Sequence, residues 1–352
     1  MRPAFACPSS QALLGLALPM KTFLSGIQPS GRQHFGNYFG AIREHLASQE
    51  VAGEHFYFIA DLHALTTSRD PEELRGHVMD AAVGYLALGL DPTRINLFRQ
   101  SDVPEVTELT WLLASVTGMG LLERATSYKD KLARGLKANV GLFTYPLLMA
   151  ADILAYDSTH VPVGKDQKQH VEMTQDMAAS FNHLYGKHAD GGQVFVKPEC
   201  SFPDDELFAK VPGLDGEKMS KSYGNAIWIF EEGKALKKLI NRITTDSRPP
   251  GDPKDPKDLL LFTFLRLFLK AEELADWEQR VRKGGPDAPG YGHLKVRLKE
   301  AIDERFGPAR ERRRELLKNP DQVEEVLQAG AKVARVRAKE TLDRAYRACG
   351  IR

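Results

Sequence analysis

Residues 21–37 read KTFLSGIQPSGRQHFGN and combine a short apolar strand, a turn and the start of a helix. The run Lys21–Gly26 predicts a buried strand, and Pro29-Ser30-Gly31 predicts the turn that follows it. A helix is then predicted over Asn37–Gln49. A strand that leads through a short loop into a helix is the building unit of parallel sheets.

The same alternation continues further along the chain. A second strand is predicted at Glu54–Ala60, and a helix runs from Pro71 to about Leu88 with Asp70 as its N-cap. Later strands are predicted at Ile95–Phe98 and His160–Val163. This order predicts an α/β fold in which helices cover both faces of a parallel, Rossmann-like sheet. Ligands in such sheets bind beyond the carboxyl ends of the strands.

Helical patterns fill much of the remaining sequence. Within the first 230 residues they cover Glu105–Thr117, Leu121–Lys137, Tyr145–Tyr156 and a stretch from Gln167 to about Tyr185 that Asp166 would cap. From about Glu231 onward no strand is predicted, and the helical stretches include Leu259–Leu269, Ala271–Arg282, Tyr291–Arg305 and Pro320–Ala348. We therefore expect an N-terminal extension at 1–19, expected to be disordered, a Rossmann-like domain with a helical insertion at 20–230, and an all-helical domain at 231–352 whose last helix packs back on the first domain.

Composition limits the classes of function. The 352 residues carry 48 Lys and Arg against 47 Asp and Glu, so the net charge of +1 gives no reason by itself to expect a nucleic-acid partner. From Lys295 onward, however, 16 basic residues face 10 acidic ones, which concentrates positive charge near the C-terminus. Three widely spaced cysteines, and no apolar run of the roughly 18 residues that a bilayer requires, favour a cytoplasmic protein.

The loop at 26–37 is the first stretch that suggests chemistry. It is neither a GxGxxG dinucleotide loop nor a P-loop. A helix N-terminus nevertheless offers free N–H groups to an anion, and Gly36 allows a nucleotide close to the backbone. His34 and Asn37 can add donors. A plain turn with a surface histidine remains equally open at this stage.

The second stretch is Glu217–Asn225, which reads EKMSKSYGN. Two lysines three residues apart, Lys218 and Lys221, can follow negative charge as it develops on phosphate oxygens. A solvated loop would be the ordinary interpretation of such a segment.

These two segments together resemble the double signature of class I aminoacyl-tRNA synthetases. Within that class, four stretches resemble the bacterial tryptophanyl-tRNA synthetases: GIQPSGxxxxGNYxGA at 26–41, DxHA at 61–64, TYPLLMAADIL at 144–154 and VPVGxDQKQH at 161–170. The resemblance covers essentially residues 20 to 352. It implies activation of tryptophan with Mg-ATP, transfer to the 3′ end of tRNA-Trp, and a homodimer.

A pocket for tryptophan is expected around one face of the helix at 145–156. Tyr145, Met149 and Asp152 share that face at i, i+4 and i+7. An indole offers a single N–H donor, so its site needs an acceptor among apolar walls, and the resemblance implies that Asp152 is this acceptor. The resemblance further implies that Leu24, Gly26, Val161 and Val163 line the ring and that Tyr145 and Gln167 hold the ammonium group. Ordinary core remains the alternative for Met149 and the valines.

The resemblance also implies the ATP site. The triphosphate and adenine would be contacted by Gln28, Pro29, Ser30, Gly36, Asn37, Val211, Lys218, Met219, Ser220, Lys221 and Ser222. The ribose would be held by Gly164, Lys165 and Asp166, and Lys131 would reach the pyrophosphate. The catalytic group implied is Lys218, Lys221, His34 and Asn37, with Mg²⁺ carried on the phosphates and no protein metal site. Asp61 and His63 either support the site or close a strand, and no role is assigned to them.

The chain departs from the usual family pattern at three places. His34 replaces a threonine, Ser127 stands where a glutamine is usual, and Tyr223-Gly224 replaces Asp-Pro. A shorter side chain at Ser127, near the substrate amine, would weaken binding or loosen specificity. These departures keep open a paralogue that binds tryptophan and ATP but acts as a regulatory or partner-binding protein. A tyrosyl-tRNA synthetase also stays open, because an aspartate can accept a hydrogen bond from a phenol as well.

Overall fold

The computed structural model describes residues 21–126, 128–129, 139–164, 167–201, 211–249 and 251–351. Within these residues the strands form one five-stranded parallel sheet in the order β3-β2-β1-β4-β5. The strands are β1 Thr22–Ile27, β2 Glu54–Ile59, β3 Asn96–Arg99, β4 His160–Pro162 and β5 Glu199–Ser201. The predicted α/β fold with a parallel sheet is confirmed. The chain runs outward from β1 in both directions, so the point of reversal lies between β1 and β4.

Helices cover both faces of the sheet. The first helical region has three parts: α1 Phe35–Asn37, a π-helical turn Tyr38–Ile42 and α2 Arg43–Ser48. The later α-helices are α3 Asp61–Ala64, α4 Pro71–Leu88, α5 Glu105–Val116, α6 Met119–Glu123, α7 Val140–Leu154, α8 Lys168–Tyr185, α9 Gly233–Asn241, α10 Leu260–Phe268, α11 Ala271–Lys283, α12 Tyr291–Lys318 and α13 Pro320–Cys349. Single 3₁₀ turns occur at Gln100–Asp102, Gly186–His188, Asp190–Gly192 and Pro256–Asp258.

Local sequence signals explain several of these boundaries. The Asp70 carboxylate accepts from the backbone N–H groups of Glu72 and Glu73, with Pro71 at the first helical position, as predicted. In contrast, α12 does not end at Arg305 but continues through Pro308 to Lys318. A proline inside a helix costs one hydrogen bond, so contacts of the second half of α12 with the rest of the protein must hold it.

Alternate side chains of the strands divide the core into two layers. Ile27, Tyr57, Ile59 and Leu97 lie in the layer that includes residues of α4 and α9–α12. Leu24, Phe56, Phe58 and Phe98 lie in the opposite layer, together with α5, α7, α8 and α13. The period of two along each strand produces this division.

The last long helix lies directly against an edge strand. At Gly330 of α13, an added Cβ would lie 2.1 Å from the carbonyl oxygen of Leu97 in β3. Only glycine permits this approach of helix to strand. Across the described ranges, no helix is both long and apolar enough to cross a membrane.

Candidate active site

A cavity of about 460 Å³ opens between the carboxyl ends of β1 and β4, where the sheet order reverses. Its volume falls within the range of about 300–1,000 Å³ that is typical of small-molecule sites. Each of the eight residues predicted for tryptophan lines it, namely Leu24, Gly26, Tyr145, Met149, Asp152, Val161, Val163 and Gln167. Gln28 and Gly164, predicted for ATP, also line it. The topology thus brings together residues that are up to 143 positions apart in the sequence.

Asp152 is the charged group at the base of this cavity. Its side chain is 2% exposed. Gln100 Nε2 donates to its two carboxylate oxygens at 2.9 and 2.8 Å, and His63 Nε2 lies 2.9 Å from Oδ2. Burial raises the pKa of the Asp152 carboxyl, and the hydrogen bonds from His63 and Gln100 oppose that shift. Since Oδ1 receives only the Gln100 donor among these contacts, it has capacity for one more.

A second polar pair lies on the cavity wall. The Tyr145 hydroxyl is 2.6 Å from His170 Nε2, and His170 is itself buried and lines the cavity. No role was predicted from the sequence for His63, Gln100 or His170. His63 and His170 lie in the segments DxHA and VPVGxDQKQH, which resemble the family. The sequence could therefore have marked both histidines as candidate site residues. Gln100 follows β3 and gave no signal, because only the parallel pairing places it beside Asp152.

Gly26 gives the cavity its space beside β1. A Cβ at this position would lie 2.9 Å from Cζ of Phe58, a ring that also lines the cavity. Real Cβ atoms essentially never approach that closely, so a larger residue at position 26 would force the Phe58 ring to move.

His34 and Asn37 form the start of the first helix. His34 Nδ1 accepts from the backbone N–H of Asn37 at 3.3 Å, and Asn37 Oδ1 accepts from the N–H of His34 at 3.0 Å. Burial, together with the charge of Lys221, lowers the pKa of His34 to about 4. The imidazole is therefore neutral near pH 7, and because Nδ1 accepts, Nε2 carries the proton and can donate to a ligand.

The lysine loop, Glu217–Gly224, reaches back to this helix start. Gly36 N lies 3.4 Å from the sulfur of Met219, and a Cβ on Gly36 would lie 2.9 Å from Cε1 of His34. Lys221 Nζ donates to the carbonyl oxygen of Ser30 and lies 3.3 Å from its hydroxyl. The two segments predicted to form the catalytic group therefore meet.

The two lysines differ in their surroundings. Burial lowers the pKa of the Lys221 ammonium, which is half-buried, whereas Lys218 is exposed. Two cations beside the start of a helix give this surface the properties of a polyphosphate site.

The other predicted ATP residues lie in different surroundings. Val211 and Met219 are buried, joined by the bond from Met219 N to Val211 O at 3.2 Å. Ser220 and Ser222 share a hydroxyl hydrogen bond of 2.8 Å on the lysine loop. Pro29 is buried in the turn after β1. Lys131, Lys165, Asp166 and Ser127 lie outside the described residues. Among the residues that are described, no group of three or more His, Cys, Asp or Glu side chains is arranged to hold a metal ion.

Comparison with known proteins agrees with this geometry. The family described as tRNA synthetases class I (W and Y) matches residues 20–306. A tryptophan–tRNA ligase from Rhodopirellula baltica is 55% identical over 329 residues, which cover 94% of this chain and 99% of that protein. The corresponding protein from Fusobacterium nucleatum is 49% identical over 332 residues, covering 94% and 98%.

Solved structures give the same result. The tryptophanyl-tRNA synthetase of Campylobacter jejuni, crystallised with ADP and tryptophan, superimposes with a TM-score of 0.86 at 46% identity, covering 94% of this chain and 99% of that one. A tyrosyl-tRNA synthetase from Archaeoglobus fulgidus has a TM-score of 0.60 at 19% identity, and this likeness concerns the fold alone. The similarity at high identity is therefore to enzymes for tryptophan.

Proposed function

This chain belongs to the bacterial tryptophanyl-tRNA synthetases, and from that premise we propose how its residues carry out the reaction. The activity is that of a tryptophan–tRNA ligase, which consumes ATP. One observation carries the assignment of the site: the buried carboxylate of Asp152 lies in a largely apolar cavity and has an acceptor position to spare.

Tryptophan binds in this cavity with its indole N–H directed to Asp152. His63 and Gln100 hold the carboxylate in place and supply the donors that compensate for its burial. Leu24, Met149 and the two valines contact the ring, and Tyr145 and Gln167 contact the ammonium group. A phenol fits this cavity less well than an indole. It is shorter, and the side chain that β1 contributes to the lining, Leu24, has no polar atom to bind the phenol oxygen.

The first chemical step needs no general base. The tryptophan carboxylate is already an anion, and it attacks the α-phosphorus of Mg-ATP in line to give tryptophanyl-adenylate and pyrophosphate. Mg²⁺ arrives with the phosphates as part of the substrate. The protein contributes alignment and stabilisation of charge. His34 Nε2, Asn37 and the backbone at Gly36 hold the triphosphate at the helix start.

Lys218 and Lys221 stabilise the leaving pyrophosphate. In the structure Lys221 donates to Ser30, beside the helix start. A phosphate oxygen is a stronger acceptor than a backbone carbonyl, so ATP would draw the ammonium from Ser30 to the phosphates. The lysine loop then closes over the site as the transition state forms.

Transfer to tRNA-Trp follows, and we assign tRNA contacts to the helical part after residue 231. The four arginines at 310–314 have partners within the protein. Arg310 is buried and pairs with Asp303 at 2.5 Å, Arg312 donates to Ala87 O at 2.7 Å, and Arg313 pairs with Asp80. Arg312 and Arg313 thereby attach α12 to α4. We place the enzyme in the cytoplasm, where its tRNA substrate is found.

A second copy of the chain would cover an apolar surface on α5–α7. Four large apolar side chains are 51–78% exposed in this part of the protein: Trp111 on α5, Met119 on α6, Val140 on α7, and Leu65 directly after α3. Leu65 lines a groove of about 480 Å³ to which Thr107, Thr110 and Gly141 also contribute, and Trp111 and Val140 are the sequence neighbours of Thr110 and Gly141. Exposed apolar residues clustered in this way mark interfaces, and we propose this one for the homodimer.

Exchange of pyrophosphate with ATP in the presence of tryptophan tests the catalytic assignment. Lys218→Ala and Lys221→Ala should each lower the turnover by about 10²–10³-fold with little change in KM for tryptophan, since one charge-stabilising donor is worth that much. Lys234→Ala, an exposed lysine on α9, is the matched control and should leave turnover unchanged. Turnover near the wild-type value in both loop variants would contradict the assignment.

A further inference from the structure

Asn225, immediately after the lysine loop, is a buried polar residue to which the reaction as described gives no role. Its side chain is 3% exposed, although it neighbours exposed loop residues on the N-terminal side. A buried amide needs partners for its donors and acceptor, and the partners of Asn225 lie in the loop and in the turn just before it.

The amide of Asn225 joins the backbone on both sides of Met219. Its Oδ1 accepts from the N–H of Ser220 at 2.8 Å, and its Nδ2 donates to the carbonyl oxygen of Lys218 at 3.2 Å. These two backbone groups lie between the α-carbons of Lys218 and Lys221. One side chain therefore fixes the stretch of backbone from which both catalytic lysines project.

Asp215 holds the amide in this orientation. Asn225 Nδ2 also donates to both Asp215 carboxylate oxygens, at 2.9 and 3.1 Å, and the Asp215 carboxylate accepts from the N–H of Glu217 at 3.0 Å. The side chain of Asp215 is exposed, so it can be changed without opening the core. The contact defines which end of the amide is the donor.

Gly213 provides the space for this arrangement. A Cβ there would lie 2.3 Å from Nδ2 and 2.4 Å from Cγ of Asn225. The amide is thus enclosed by the backbone of the preceding turn, and its position is fixed by packing as well as by hydrogen bonds.

The base of the loop is in turn attached to the segment after α9. Thr244 N donates to Leu214 O at 2.9 Å, and Arg242 donates to Gly224 O at 3.1 Å. Asn225 therefore connects the fixed base of the loop to its tip, where Lys221 and Met219 lie beside the helix start.

We propose that Asn225 is a positioning residue for adenylate formation, whose amide, oriented by Asp215, sets the backbone between Lys218 and Lys221 and hence the approach of both ammonium groups to the phosphates. The inference rests on the proposed roles of these lysines. It does not make Asn225 a catalytic residue, because its contacts are with the loop.

Four variants test the proposal in pyrophosphate exchange: Asn225→Asp, Asp215→Asn, the double exchange of the two, and Tyr223→Ala as control. Asn225→Asp loses the donor and places two carboxylates together. It should lower the turnover by about 10- to 100-fold, because misplacing reacting groups by about 1 Å has such effects. KM for tryptophan should stay within about twofold, since the cavity is untouched.

The pairing predicts an asymmetric pattern among the variants. Asp215→Asn keeps an acceptor for the amide and should retain turnover within about threefold. The double variant restores a donor–acceptor pair with the ends reversed and should recover part of the loss, which a general effect on stability would not produce. Tyr223, 71% exposed in the same loop, should be replaceable without effect.

Each result decides the inference. Unchanged turnover in Asn225→Asp, a matching rise in KM for tryptophan, no recovery in the double variant, or an equal loss in Tyr223→Ala would overturn it. Should Asn225→Asp fail to fold, Asp215→Ala replaces it, and unchanged turnover there would overturn the inference. Absence of tryptophan-dependent exchange in the wild-type protein would instead contradict the proposed function, so the two failures are distinguishable.

Discussion

Replacement of Asp152 by asparagine is the sharpest perturbation that the structure offers. The two side chains have nearly the same shape, so Asp152→Asn leaves the cavity volume unchanged and removes the negative charge and one acceptor oxygen. Gln100 donates to both oxygens and His63 Nε2 lies 2.9 Å from one of them. An asparagine NH₂ group would face one of these donors, and its remaining oxygen could not serve them and the indole together.

The size of the effect follows from these contacts. A hydrogen bond to a buried charged group contributes about 1.5–3 kcal/mol. Loss of the bond from the indole N–H therefore predicts a rise in Kd for tryptophan of about 10- to 100-fold. The free energy of unfolding should fall by less than after an ordinary loss of a buried hydrogen bond. Burial of the Asp152 charge, which raises the pKa of this carboxyl, opposes folding in the wild-type protein, and a neutral asparagine removes that opposition.

The assay compares tryptophan with its benzothienyl analogue, in which sulfur replaces the N–H group. In equilibrium dialysis the wild-type protein should bind the analogue about 10- to 100-fold more weakly than tryptophan, whereas Asp152→Asn should bind the two ligands equally. Comparison of two ligands in two proteins isolates the contact between the indole N–H and the carboxylate. KM for ATP should not change. If Asp152→Asn still discriminates between the two ligands by the full factor, the carboxylate is not the indole acceptor.

Three further predictions concern groups around the site. Gly36→Ala brings a Cβ to 2.9 Å from His34 and should raise KM for ATP in pyrophosphate exchange while KM for tryptophan stays constant. Gln100→Leu leaves Asp152 without its amide donor and should lower the free energy of unfolding by about 1–3 kcal/mol in urea titrations. The pKa of His34 is lowered to about 4 from 6.5, so the unfolded state binds more protons between these values; the stabilisation of wild type over His34→Asn, measured by unfolding, should be complete above pH 6.5 and fall as the pH approaches 4. A Gly36→Ala enzyme with unchanged KM for ATP, a fully stable Gln100→Leu variant, or a stability difference independent of pH would contradict the respective prediction.

Elements with strong local signals were predictable from the sequence. The runs at β1 and β2 are apolar and bounded by turns, and Asp70-Pro71 is a helix start that needs no tertiary context. The face shared by Tyr145, Met149 and Asp152 follows from helical periodicity, and the cavity lined by these residues agrees with it. The assignment of ATP residues depended on resemblance to a family, because the loop at 26–37 matches no general phosphate motif.

Elements decided by tertiary contacts were not predictable. β5 has only three residues and pairs with β4 alone, too short for a periodic pattern. α12 continues past Pro308 because Arg310 is buried against Ile229 O at 3.1 Å and its neighbours bind α4. In the sequence these arginines form a basic cluster, and their protein partners are not evident because a charge pattern does not reveal groups brought close by folding.

Charging of tRNA-Trp with tryptophan tests the proposed role of Asp152 and its cavity most directly. The same preparation would be assayed for tryptophan- and tyrosine-dependent pyrophosphate exchange and then for aminoacylation of the tRNA. We expect tryptophan to support both reactions and tyrosine to support neither at comparable concentration. Exchange without charging would indicate an adenylate made for another purpose, and exchange with tyrosine, or with neither amino acid, would contradict the role given to Asp152 and the site built around it.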